Sequence, residues 1–252
     1  EIYQRLGATL EHGINCGEFL AMALPVALVW ALTARTRARR IALTVPLLLP
    51  CAAILLTYAR TGWIMLALAF AVLLWYKKKI LLLPAAALGI GALFLLPESI
   101  QARFLSMLDF SNASASGRFV LWGECFALWK DKWLLGIGLG PENFYAAYAP
   151  YATGLLNFQP PHSNMLYLEM FLSTGILGGL LFCGFFFGIF GRLNRAVRAI
   201  PEKHSRWPAQ ALIASLAGAA LGGIPEYIWF YPRILFFWCV LFGMALAVSD
   251  NN

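Results

Sequence analysis

The sequence predicts an all-α membrane protein, a polytopic bundle of about seven transmembrane helices with one large extracytoplasmic loop that contains short interfacial helices. Three observations carry this. Apolar residues make up 61% of the chain and charged residues only 12%, about half the charge that a soluble surface requires. The apolar residues gather in long runs, as hydrocarbon demands. The basic residues collect in alternate gaps between those runs, so the net charge of +7 reads as membrane topology and calls for no nucleic-acid partner.

In chain order the candidate spans are Phe19–Ala34, Ile41–Ala59, Gly62–Tyr76, Ile80–Leu96, Leu166–Phe190, Gln210–Ile224 and Ile234–Val248. Several fall short of the roughly 20 residues that a bilayer core needs, so their ends are expected to extend into flanking sequence. Pro25, Pro46, Pro50 and Pro84 lie inside spans, tolerable where neighbouring groups satisfy the freed carbonyls. The expected organisation is residues 1–96 with four spans, a loop over 97–165, and residues 166–252 with three spans. The chain starts at Glu1 without an initiator Met or a signal-peptide pattern, which leads us to expect a portion of a longer protein. Cys51, Cys183 and Cys239 sit in apolar runs as small hydrophobes, and Cys16 and Cys125 form no metal or redox spacing.

Orientation follows from charge. Arg35, Arg37, Arg39 and Arg40 follow the first span, Lys77, Lys78 and Lys79 the third, and Arg192, Arg195, Arg198, Lys203 and Arg206 the fifth. These alternate gaps face the cytoplasm together under the positive-inside rule. The N-terminus and the 97–165 loop then lie outside and the C-terminus inside, with only Glu202 and Asp250 as cytoplasmic acids. The expected location is a cell membrane, crossed several times.

The 97–165 loop is too long for a plain connection and too aromatic for disorder. Ser116 is placed to cap a helix over Arg118–Lys130, on which Phe119, Trp122, Phe126 and Trp129 recur at helical spacing. That pattern fits a helix lying at the membrane surface. The run Gly136-Ile137-Gly138-Leu139-Gly140 follows no predicted strand, so a dinucleotide site fails its own context and a sharp turn is the better reading. A short helix is expected from Pro141. Tyr145, Tyr148 and Tyr151, beside Phe144, offer rings that could stack on sugars, although an interfacial aromatic belt accounts for any one of them at least as well.

Three polar residues stand out on the expected outer side, where topology needs no positive charge: Arg60, Arg118 and His162. Paired guanidinium N–H groups grip a diphosphate and offset charge on a leaving group. A histidine titrating near neutrality can take a proton from an attacking hydroxyl. The bland alternatives are a snorkelling anchor for Arg60 and a structural role for His162. No Asp-x-Asp pair or Asp/Glu/His cluster in the loop offers a metal site, so neither metal nor cofactor is expected.

At these residues the chain resembles the O-antigen ligase and polymerase superfamily of bacterial lipid-linked glycan transferases. Thr57-Tyr58-Ala59-Arg60-Thr61-Gly62-Trp63 is similar to an arginine-containing helix start of that family. Ser116-Gly117-Arg118 through Trp122, then Asp131-Lys132-Trp133-Leu134-Leu135-Gly136-Ile137-Gly138, resembles its arginine, tryptophan and glycine run, with Trp133 where proline is usual. His162-Ser163-Asn164 through Glu169 to Thr174-Gly175-Ile176-Leu177-Gly178 resembles the end of its outer loop, with Asn164 where a second histidine is common. The likeness covers most of residues 60–179.

The resemblance implies glycan transfer, without a metal, from an undecaprenyl-diphosphate donor to an acceptor hydroxyl at the outer face of the membrane. It gives Arg60 and Arg118 the diphosphate and His162 the role of general base, with membrane lipids as surroundings. The rival expectation is a transporter or flippase for polyprenyl-linked or other anionic lipids, which would bind the same groups without making a bond. Transporters of that kind show paired or symmetric helices, and no internal repeat is present in this sequence.

Overall fold

The computed structural model describes residues 6–107, 109, 113–156, 158–201 and 206–250. Glu202 and Lys203, which entered the charge count, lie outside the described residues. Among those described the chain is helical, without strands. The helices are α1 (Gly13–Leu32), α2 (Arg37–Thr44), α3 (Leu48–Leu56), α4 (Arg60–Lys78), α5 (Leu82–Leu93), α6 (Glu98–Leu105), α7 (Ala113–Lys132), α8 (Pro141–Tyr148), α9 (Leu166–Ala199), α10 (Trp207–Gly222) and α11 (Pro232–Asp250).

Four of the expected windows fall on helices long and apolar enough to cross a membrane: Gly13–Leu32, Arg37–Leu56, Leu166–Ala199 and Pro232–Asp250. A 3-10 turn at Val45–Leu47, where Pro46 cannot donate, joins α2 to α3 within the second of these. The other windows give weaker elements. Helix α4 ends in Lys77 and Lys78, α5 has 12 residues and α10 has 16, short of the roughly 20 that a span needs.

The chain forms two compact units that do not follow its order. The first, the helix unit, comprises residues 1–107, 189–222 and 231–252. Its centre is α1, α4 and α10 packed on one another, with Ala69, Ala211 and Ala214 wholly buried. Small residues permit this approach, since lipid supplies no hydrophobic drive between helices and packing must do it. A Cβ added at Gly62 would lie 2.8 Å from the carbonyl carbon of Gly17, and one at Gly218 would lie 2.5 Å from the carbonyl oxygen of Met65. Ser215 donates to the Met22 carbonyl at 2.7 Å, tying α10 to α1. By contrast α5 buries nothing, and Leu83, Leu88 and Phe94 are exposed. Basic and aromatic groups meet at one end: Lys77 Nζ lies 3.1 Å over the Trp207 ring, Tyr76 donates to Asn194, and Arg192 pairs with Asp250.

The second, the loop unit, comprises residues 108–188 and 223–230. Its core is Leu121, Cys125 and Leu128 of α7 against Phe144 and Tyr148 of α8 and Leu172 of α9. The aromatic residues of α7 divide: Phe119 and Phe126 are exposed, while Trp122 is half-buried and Trp129 packs against the core. Helix α7 also starts earlier than expected. Ser116 lies inside it and not at its start.

The unit closes on a broken helix. Gly175, with φ of 67°, interrupts α9, which strands backbone groups on both sides. The 133–138 segment enters the break and satisfies them. Ile137 N–H donates to Leu172 O at 2.8 Å, Gly138 N–H to Ser173 O at 3.0 Å, and Ile176 N–H to Trp133 O at 2.7 Å. Broken helices at membrane depth persist only when protein re-satisfies them in this way. Glycine is required at both contact points: a Cβ at Gly136 would lie 2.5 Å from Gly175 N, and one at Gly175 would lie 2.2 Å from Leu134 O. Two of the stretches singled out in the sequence are thus halves of one junction.

Candidate functional site

In the loop unit the site is built around His162. Pro160 and Pro161 fix φ in the approaching backbone, which bends at Pro161 and His162. The chain then turns through Asn164 in the left-handed region, φ 55°, a conformation that asparagine tolerates better than most residues. The turn is pinned from α9, where Glu169 reaches back to accept Ser163 N–H at 2.8 Å. Leu166 N–H, the first of α9, is shared between the carbonyls of Gly223 at 2.8 Å and Glu226 at 3.2 Å. His162 itself is buried, with 8% of its surface exposed. Its ring packs against Tyr227 at 5.3 Å and Phe230 at 4.5 Å between centroids.

The tautomer follows from one contact. Asn164 N–H lies 3.1 Å from His162 Nδ1. A backbone N–H can only donate, so Nδ1 must present its lone pair, and the neutral ring carries its proton on Nε2. Flipping the ring would set a carbon against that N–H, and the hydrogen-bond network fixes the orientation. Burial pushes the imidazole down to a pKa of about 4, so it is neutral at physiological pH. A lone pair on Nε2, which the expected general base needs, is not present in this arrangement.

Arg118, on the first turns of α7, pairs with Glu226. Both side chains are mostly covered, with 23% and 13% exposed. Glu226 stands one residue before Tyr227, so the short 223–230 segment holds Arg118 with one residue and His162 with the next. Sequence reasoning missed this segment. Its signal was faint: an acidic residue after Gly222-Gly223-Ile224-Pro225, at a break between two apolar runs.

Arg60 belongs to the helix unit. It opens α4, is half-buried, and donates through Nη1 to the Ser106 carbonyl at 3.0 Å, just past α6. Arg103 donates to the Tyr58 carbonyl at 3.1 Å, and Tyr58, with φ 52°, shares a hydrogen bond with Ser99. Two arginines therefore hold the α3–α4 turn and α6 together.

The tyrosines separate. Tyr145 is 38% exposed, and Tyr151 is half-buried with its hydroxyl on Asp131 at 2.6 Å. Tyr148 is buried, its ring 5.3 Å from Phe144 and its hydroxyl on Glu124. Only 4% of its surface is exposed. It supports Glu124. That buried carboxylate also accepts the backbone N–H of Thr153 at 2.7 Å and its hydroxyl, joining the 149–156 segment to α7. Burial pushes the Glu124 carboxyl up, but these hydrogen bonds outweigh it and leave the pKa below the ordinary value. Elsewhere in the loop unit, Glu142 is exposed in the first turn of α8.

Among curated proteins none matches the chain. The sequence model of one family, described as O-antigen ligase, matches residues 45–183. That stretch includes Arg60, Arg118, the 133–138 segment, His162 and the break at Gly175, and it stops before Glu226. On a match over more than half its length, this chain is a member of the O-antigen ligase family.

Proposed function

We propose that this chain transfers a glycan from an undecaprenyl-diphosphate donor to an acceptor hydroxyl at the outer face of the membrane, within a family of membrane glycan ligases and polymerases. The observation that carries the reading is the common support of Arg118 and His162 by residues 226–230. A mostly covered guanidinium suits a diphosphate, whose oxygens accept paired N–H bonds and whose charge grows as the glycosyl bond breaks. The neutral imidazole adds a polar group on the same support. Arg60 keeps the diphosphate role that the resemblance implies. Tyr145 and Tyr151 remain the rings available for sugar contact.

The topology proposed with this function has about seven spans, the N-terminus outside and the C-terminus in the cytoplasm. The charge pattern supports it. On a cysteine-free background, a membrane-impermeant thiol reagent added to intact cells should label Glu142→Cys and spare Lys78→Cys. Labelling at Lys78 with protection at Glu142 overturns the orientation.

The decisive experiment reconstitutes the protein in liposomes with a purified undecaprenyl-diphosphate-linked oligosaccharide and a panel of hydroxyl acceptors. These are lipid A core, free polysaccharide, a glycosylatable protein and a wall polymer. Transfer to one of them with release of undecaprenyl diphosphate is expected. Movement of the intact donor between leaflets with no new glycosidic bond would sink the ligase reading in favour of the transporter.

A further inference from the structure

The two nitrogens of His162 do different work. Nδ1 is committed to the turn, accepting Asn164 N–H at 3.1 Å. Ser163 N–H is held by Glu169 at 2.8 Å, and Asn164 sits at φ 55°, so the backbone that delivers this N–H is itself fixed. Tyr227 and Phe230 hold the ring from its sides. Among the described residues nothing engages Nε2. A neutral imidazole in this setting is a hydrogen-bond donor with a fixed direction.

We infer that His162 acts through Nε2–H as a donor to an anionic oxygen of the donor's diphosphate, in place of the general base expected from sequence. The inference rests on the diphosphate-donor reading above. In the transfer step the acceptor oxygen uses a lone pair to form the bond to the anomeric carbon. The bond from that carbon to the phosphate oxygen breaks with its electron pair passing to the diphosphate. The hydroxyl proton leaves to bulk water. His162 is neutral before and after, and it stabilises the charge that arrives on the leaving group, where a preoriented N–H is most effective.

Three substitutions separate the roles. His162→Asn places an amide oxygen near Nδ1, so it can still accept Asn164 N–H but lacks the distal donor. His162→Gln extends an amide N–H toward the place of Nε2. His162→Ala has neither. The readout is the affinity of the full chain, in lipid nanodiscs, for undecaprenyl diphosphate, which requires no acceptor. The Gln variant should bind within a few-fold of the parent, while the Asn and Ala variants should bind about tenfold more weakly or worse, as expected for a lost hydrogen bond to a charged group. Thermal melting of the Asn variant should match the parent, which sets aside unfolding as the cause. Glycan transfer should follow the same order.

A general base touches the hydroxyl and not the diphosphate, so it predicts equal affinity in all four proteins and loss of transfer in all three variants. That result overturns the inference and leaves the function standing. A purely structural histidine predicts that Asn restores binding and transfer while Gln does not, which also overturns it. If the parent fails to bind undecaprenyl diphosphate at all, the functional reading falls and the inference falls with it.

Discussion

In the helix unit glycines let neighbouring backbones and side chains approach closely. Gly17 faces Gly62, Gly218 faces the Met65 carbonyl, and fully buried alanines fill the rest. In the loop unit the tight contact of Gly136 on Gly175 serves a different end, because around it three backbone hydrogen bonds cross between a loop and a broken helix. The first arrangement brings together helices whose backbones are already satisfied. The second satisfies a backbone that would otherwise be stranded, and it is joined by buried carboxylates at Glu124 and Glu169 that tie down the 149–156 and 160–164 segments. Packing among small residues degrades gradually when perturbed. A junction of stranded polar groups does not, since each unmade bond leaves a buried group unpaired.

The comparison is tested most severely at Gly175. Alanine there meets both a positive φ and the Leu134 carbonyl at 2.2 Å, so Gly175→Ala should remove more than about 3 kcal/mol and leave little folded protein. Gly188 lies in the same helix with nothing within 4 Å. Gly188→Ala should be neutral, or stabilise by up to about 1 kcal/mol through helix propensity. Size-exclusion profiles and melting in detergent report both. Similar behaviour of the two variants would mean that the junction does not hold the loop unit.

Next in size is the Arg118–Glu226 pair. Arg118→Ala should lower transfer by about 10²-fold, the usual loss for one preoriented donor at a developing charge. It should also cost about 1–3 kcal/mol of stability by leaving Glu226 covered and unpaired. Arg118→Lys keeps the charge but loses the planar fork, and should retain stability while transfer falls about tenfold. Full transfer by the lysine variant would reduce Arg118 to an electrostatic anchor.

What the sequence made legible follows the same division. Apolar runs located the four helices long and apolar enough to cross a membrane, since a span is a local property of about 20 residues. The sharp turns at Gly136, Gly138 and Gly140, all at positive φ, were legible for the same reason. The contacts that make the site were not. Residues 133–138 meet 172–176, and Arg118 meets Glu226 across more than a hundred residues of chain; no local pattern encodes such a pairing. The burial of Tyr148 was not legible, because its spacing with Phe144 is the same whether the face is buried or open. The His162 tautomer was set by the φ of Asn164, which sequence leaves undetermined.

In the helix unit, Gly62→Ala should cost about 1–3 kcal/mol, the range for overpacking a tight contact. The added methyl meets the Gly17 backbone, yet no hydrogen bond has to break, so α1 and α4 can separate slightly. Folded protein should persist with a lower melting temperature. Because the contact is two residues beyond Arg60, donor affinity should weaken along with it. A Gly62→Ala protein that is lost as completely as Gly175→Ala would erase the contrast between gradual and abrupt failure.

The smallest expected effect is on pH dependence, and it belongs to His162. Burial holds its pKa at about 4 in the folded protein, against about 6.5 in an unfolded chain. Between these values the unfolded chain binds a proton that the folded one does not, so stability rises with pH across that window. The full contribution is present above about pH 6.5 and is lost progressively as pH falls toward 4. From pH 6.5 to 5.5 the loss should be about 1 kcal/mol, one unit of a single proton's linkage. Glu124 works in a separate window. Its pKa lies below the ordinary carboxyl value of 4.5, so its contribution fades only in stronger acid. Melting of the parent and of His162→Asn should therefore diverge between pH 6.5 and 5 and run parallel above 7. Transfer by the parent, with the ring neutral throughout, should show no step near pH 6.5. A step there would place the imidazole's titration in the ordinary range and show that the ring is open to water, against the packing of Tyr227 and Phe230 on it.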